Sequence, residues 1–170
     1  YVTLVEGTNI AITVSPDEKT IVFDLFGILW ALPITGGLAK RLTDEFADAA
    51  MPNFTPDGKS IVFQSYRSGN FHVWIMNADG TGARQLTTGA FDCREPRSSP
   101  DGKRIAYASD RTGAHAVHVM ELASGKSRLW SKVQGQACQP AWSADGKTIA
   151  FAVDKAQVMT QAATGAAADG

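Results

Sequence analysis

Histidine, cysteine and carboxylate are the side chains that most often do chemistry, and this 170-residue sequence has three His, two Cys and seventeen Asp plus Glu to arrange. His115 and His118, at i and i+3, could hold a metal together on a helix, but on a strand they would point to opposite faces. His72 stands alone at a strand edge, so packing is the expected role for all three. Cys93 and Cys138 lack CxxC spacing and read as two small, buried side chains rather than a zinc site, a redox pair or a disulfide framework. No GxSxG, HExxH, HxH or P-loop occurs, so no serine hydrolase, zincin, amidohydrolase metal site or nucleotide cradle can be read. The expectation is a chain with no catalytic site, metal or cofactor of its own. Asp57, Asp101 and Asp145 lie on tight turns and could be imagined as calcium ligands. A calcium site needs several oxygens in one loop, whereas these carboxylates lie far apart in sequence, so they read as caps of their own turns.

The balance of charge narrows the partners. Sixteen Lys plus Arg against seventeen Asp plus Glu, net −1, with no run of like charge, leaves no electrostatic footprint for nucleic acid or an anionic membrane. No apolar stretch approaches the ~20 residues that span a bilayer.

The elements that position these side chains come from an internal repeat. Ser15-Pro16-Asp17-Glu18-Lys19 returns as Thr55-Pro56-Asp57-Gly58-Lys59, Ser99-Pro100-Asp101-Gly102-Lys103 and Ser143-Ala144-Asp145-Gly146-Lys147, at steps of 40, 44 and 44 residues. Trp30 and Trp74 keep the register, as do Leu42-Thr43 and Leu86-Thr87, and Pro52, Pro96 and Pro140. Within one period, Pro52 to Thr55 enters the Pro-Asp-Gly turn and Ser60 to Tyr66 follows as an apolar strand. His72 to Asn77 and Ala83 to Thr87 complete four antiparallel strands. Ile21-Val22-Phe23, Ile61-Val62-Phe63, Ile105-Ala106-Tyr107 and Ile149-Ala150-Phe151 take one equivalent position, apolar on both faces as expected of strands sandwiched between neighbours. Pro and Gly interrupt too often for a helical repeat. The fold class is all-β: β-propeller blades of four antiparallel strands over 8–47, 48–91, 92–135 and, in part, 136–165, forming an incomplete ring.

The residues just before the Pro that opens each blade do not repeat. Asp48-Ala49-Ala50-Met51, Asp92-Cys93-Arg94-Glu95 and Gln136-Ala137-Cys138-Gln139 differ while the turns recur, as when a scaffold is kept and its rim specialised. Read as loops at the channel mouth, they give the binding candidates Asp48, Asp92, Arg94, Glu95, Arg97 and Gln139. The alternative for the charged members is mutual pairing of little energetic consequence.

The phrases Phe54-Thr55-Pro56-Asp57-Gly58-Lys59-Ser60-Ile61-Val62-Phe63, Trp74-Ile75-Met76-Asn77-Ala78-Asp79-Gly80-Thr81 and Arg84-Gln85-Leu86-Thr87 resemble the repeat of the TolB-like propellers. That family includes a periplasmic scaffold of the Tol-Pal system, tricorn-type and prolyl-oligopeptidase-type peptidases, and propellers that precede amidohydrolase domains. Glu6-Gly7-Thr8-Asn9 and Trp30-Ala31-Leu32-Pro33-Ile34-Thr35-Gly36-Gly37 look most like the first blade of the last group. Glu18 in place of Gly, Ala144 in place of Pro and a shorter second hairpin in the first blade depart from the pattern without breaking a blade. The resemblance implies a non-catalytic part of a larger hydrolase, amidohydrolase- or peptidase-like, that gates substrate or scaffolds the enzyme. Its alternative is a free-standing protein-interaction module. Either implies a periplasmic or secreted setting and a protein partner or the rest of a larger polypeptide. Four blades leave two faces open, so self-association that closes the ring is a further expected arrangement.

Overall fold

The computed structural model describes residues 10–133, 135–153 and 157–162. The chain forms four antiparallel sheets in sequence order. The first contains β1 (Ile12–Val14), β2 (Thr20–Leu25), β3 (Ile28–Pro33) and β4 (Lys40–Arg41). The second contains β5 (Ala49–Phe54), β6 (Ser60–Ser65), β7 (His72–Asn77) and β8 (Arg84–Gln85). The third contains β9 (Cys93–Ser98), β10 (Arg104–Ser109), β11 (Ala116–Glu121) and β12 (Ser127–Leu129). The fourth is three-stranded, with β13 (Ala137–Trp142), β14 (Thr148–Val153) and β15 (Gln157–Ala162). Each sheet pairs its strands in chain order, and β1, β5, β9 and β13 touch one another from sheet to sheet. These are the inner strands of propeller blades. Among the described residues no helix is long and apolar enough to cross a membrane.

The recurring Pro-Asp-Gly phrase is a self-contained hydrogen-bonded turn. The hydroxyls of Ser15, Thr55, Ser99 and Ser143 donate to Asp17, Asp57, Asp101 and Asp145 at 2.6, 2.7, 2.5 and 2.7 Å. The same carboxylates accept the backbone N–H groups of Lys19, Lys59, Lys103 and Lys147. Hydrogen bonds from the hydroxyl and the lysine amide hold all four carboxyls below their usual range. The aspartates are thereby structural caps. The Gly at the fourth position takes φ of 67–68° in three of the turns, and Glu18 accepts φ 58° in the first, a conformation costly for a residue with a Cβ.

The core lies between blades. Val22, Leu29, Ala47 and Ala49 pack on Ile61 and Phe63. Val62 and Val73 meet Cys93, Ile105 and Tyr107, and Ala106, Val117 and Val119 meet Ile149 and Phe151. In the second and third blades β6 and β10 are buried on both faces, as their apolar runs predict. In the first blade burial alternates along β2, leaving Ile21 and Phe23 partly exposed, and on β1 Ile12 is 63% exposed. One face of that blade is open.

Candidate functional site

The inner strands begin earlier than the sequence predicts. The residues read as loops before Pro52, Pro96 and Pro140 are strand residues, so Arg94, Glu95 and Arg97 lie within β9 and Gln139 within β13. Of the six candidates, only Asp48 and Asp92 precede their strands. The reason is a bulge. β5, β9 and β13 each slip register against their partners, between Ala50 and Asn53, between Arg94 and Arg97, and between Cys138 and Ala141. The residue before the proline turns left-handed: φ is 55° at Met51, 57° at Glu95 and 53° at Gln139. Proline has no N–H to lose, so it tolerates the broken ladder.

The bulge leaves one N–H without a ladder partner, and the preceding blade supplies the acceptor. Asp24 Oδ2 accepts from Met51 at 2.8 Å and Gln64 Oε1 from Glu95 at 2.8 Å. Asp24 and Gln64 hold equivalent positions after Phe23 and Phe63. The third blade has Ala108 there, and Glu95 Oε2 instead accepts the Gln139 N–H at 2.5 Å. A second stitch joins the same blades through their inner strands alone. Thr13 Oγ1 accepts from Phe54 N–H, Asn53 Oδ1 from Ser98 N–H at 2.8 Å, and the Arg97 carbonyl from Trp142 Nε1 at 3.0 Å. The Arg97 guanidinium donates to the Pro96 carbonyl at 3.2 Å. Burial lowers its pKa from the usual arginine value, opposed by nearby Glu95.

Asp92 and Arg94 form a different group, between the second and third blades at the end of the inner strands where they start. Arg94 donates to Asp92 Oδ2 through Nε at 3.1 Å and Nη2 at 2.6 Å, and its guanidinium lies 4.1 Å from the Phe71 ring centroid. Asp92 Oδ1 also accepts the Phe71 N–H at 3.0 Å. Burial disfavours the Asp92 charge, but Arg94 and the Phe71 amide outweigh it, and the carboxyl lies below its usual range. The six candidates therefore divide. Glu95 and Gln139 are joined across one blade junction, Glu95 acts electrostatically on Arg97, Asp92 and Arg94 pair at the end, and Asp48 stands one blade away, exposed.

The histidines sit inside. His72 opens β7 but is buried rather than at an open edge, with Nδ1 3.2 Å from Thr87 Oγ1. His118 is buried on β11, stacked 5.8 Å from the Tyr107 ring, and among the described residues its Nε2 meets no partner. His115 precedes β11 instead of sharing a strand with His118. Cys93 is buried, whereas Cys138, expected to be buried, is half-buried. Among the described residues no group of three or more His, Cys, Asp or Glu is placed to hold a metal. The acceptors Asp24 and Gln64 escaped the sequence reading. Their signal was a polar residue ending an otherwise apolar strand run.

No protein-family model and no curated protein matches the sequence. Solved structures do match. TolB from Acinetobacter baumannii superposes with a TM-score of 0.74 at 23% identity, over 89% of this chain and 40% of that one. A puromycin hydrolase gives 0.70 at 16% identity, over 85% of this chain and 25% of that one. A chain of a nidogen/laminin complex gives 0.73 at 10% identity, over 85% and 56%. The fold is the TolB-like β-propeller, and this chain spans about two fifths of the length of the Acinetobacter baumannii TolB.

Proposed function

We propose that this chain is the non-catalytic, substrate-gating or scaffolding part of a larger hydrolase, amidohydrolase- or peptidase-like, and recognises its ligand along the inner strands. The carrying observation is the bulge. The backbone at Met51, Glu95 and Gln139 is the same in three blades while the side chain it presents changes from thioether to carboxylate to amide. A repeated frame with a varied display is what recognition requires of a scaffold. The likeness to a hydrolase chain of which it covers one quarter supports the reading.

A free-standing periplasmic interaction module of the TolB type is the second reading, favoured by the TM-score of 0.74. A periplasmic or secreted setting belongs to both proposals. A photoreactive residue placed at Glu95 or Gln139, with Leu129 on the outer strand as control, tests them in cells. Crosslinks at the inner positions, mapped by mass spectrometry to a hydrolase segment of the same polypeptide, support the first reading. Crosslinks to a separate polypeptide support the second, and equal yields at Leu129 exclude both. Under either, Arg94→Ala and Glu95→Ala weaken recognition.

A further inference from the structure

The junction of the first two blades carries the carboxylate of a guanidinium site but not the guanidinium, and where the next junction has Phe71 it has Gly27, with the ring of Phe26 one residue away. At the next junction the site is complete: Asp92 holds Arg94 by two hydrogen bonds, and Arg94 covers the ring of Phe71. The repeat makes the comparison position by position. Asp92 corresponds to Asp48, and Arg94 corresponds to Ala50. The hydrogen bond that ties the hairpin to the inner strand is equivalent too, since the Phe71 carbonyl accepts from Cys93 N–H at 2.6 Å and the Gly27 carbonyl from Ala49 N–H at 2.7 Å, although the first hairpin is shorter and φ is 40° at Asp48.

Two rings at the first junction are left largely open to solvent and a third is partly covered. Phe26, beside Gly27, is 81% exposed, and Phe46, two residues before Asp48, is 77% exposed. Tyr66 is 45% exposed although its ring packs 5.0 Å from that of Phe71, and its N–H donates to the Asp48 carbonyl at 3.3 Å. Three exposed aromatic residues thus flank one exposed carboxylate, on which no partner acts among the described residues. The loop is acidic besides. Asp44 pairs with Arg67, and Glu45 with Arg41 at 3.1 Å, which leaves Asp48 as its uncompensated charge.

We infer that Asp48, Phe26, Phe46 and Tyr66 form a docking surface for an arginine-bearing segment of a protein partner, whose guanidinium takes the place that Arg94 fills one blade along. A guanidinium suits both halves, forking onto a carboxylate and lying flat on a ring. This surface is separate from the bulge residues of the inner strands and stands whatever those residues bind.

The test is a titration of the whole chain with the peptide acetyl-Leu-Arg-Leu-amide, followed by amide chemical shifts, with acetyl-Leu-Gln-Leu-amide as the neutral control. The arginine peptide is expected to shift the amides of residues 26–27, 46–50 and 66, and to bind about fivefold or more tightly than the glutamine peptide. Asp48→Asn removes that preference. Ala50→Arg supplies the missing group from within and abolishes the shifts, and an unchanged pattern of shifts away from residue 50 verifies that this variant folds. Phe46→Ser, on an exposed loop, independently weakens binding. Equal affinity for the two peptides, shifts confined to other residues, no shifts at all, or undiminished binding by a folded Ala50→Arg each overturn the inference.

Discussion

The fold opposes the ionisation of His118. This residue is buried between the second and third blades beside Tyr107, and burial, then the positive charge of Arg111, lower its pKa to about 4. In the unfolded chain a histidine titrates near ~6.5. The unfolded state therefore binds a proton that the folded state refuses. Stability contributed by neutral His118 is fully present above about pH 6.5, falls as the pH drops toward about 4, and falls no further on its account below that. Linkage puts the loss at about 2 kcal/mol by about pH 5. His72 shifts the same way, chiefly by burial. Urea unfolding at about pH 7.5 and about pH 5 checks this: the midpoint should drop in acid, and His118→Phe should remove most of the drop. A drop that survives in His118→Phe would assign the acid sensitivity to other groups.

The bulge is the element on which the candidate surface depends. Its exposed N–H must be met from the blade before, so Gln64→Leu, which keeps bulk and removes the acceptor, should cost about 1–2 kcal/mol at the Glu95 amide. Chemical denaturation would measure it, and hydrogen exchange would localise it to Glu95. A loss spread evenly over all blades would contradict this account. Close approach between blades gives a second test. A Cβ on Gly80 would lie 2.7 Å from the Leu42 carbonyl oxygen, whereas one on Gly113 would meet nothing within 4 Å, although φ is 93° and 102° at the two. Both Ala variants bear the left-handed penalty, but Gly80→Ala should lose at least about 1 kcal/mol more because backbone must move. The turns and apolar strands were legible in the sequence because their geometry demands particular residues: Pro, Asp and Gly, or Val, Ile and Phe. The bulge was not. Left-handed φ falls on Met51, Glu95 and Gln139, which share no residue type, and only the following proline marks the place. The same blindness put the candidates in loops and hid the exposed rings, because exposure of Phe26 or Phe46 is set by which blade stands beside them.

At the scale of the molecule, the question is what covers the open face of the first blade. Interior junctions follow one rule. Val22 and Leu29 of one blade pack on Ile61 and Phe63 of the next, and the pattern recurs as Val62 on Ile105 and Tyr107, then Ala106 on Ile149 and Phe151. On the first blade the receiving side of that junction is Ile21 and Phe23, paired across the strands with Val14 and Ile12, and all four are at least partly exposed. Such a contiguous apolar patch associates in water, through further blades of a polypeptide or through another copy in which two arcs complete a ring. The isolated 170-residue chain distinguishes these by light scattering. Closure by a second copy predicts a discrete species of twice 18.1 kDa that Ile12→Glu together with Val14→Glu returns to monomer. Covering by other blades predicts a monomer or heterogeneous aggregates for the isolated chain. A discrete dimer unmoved by the two substitutions would place the contact elsewhere and leave the first blade's face for another partner.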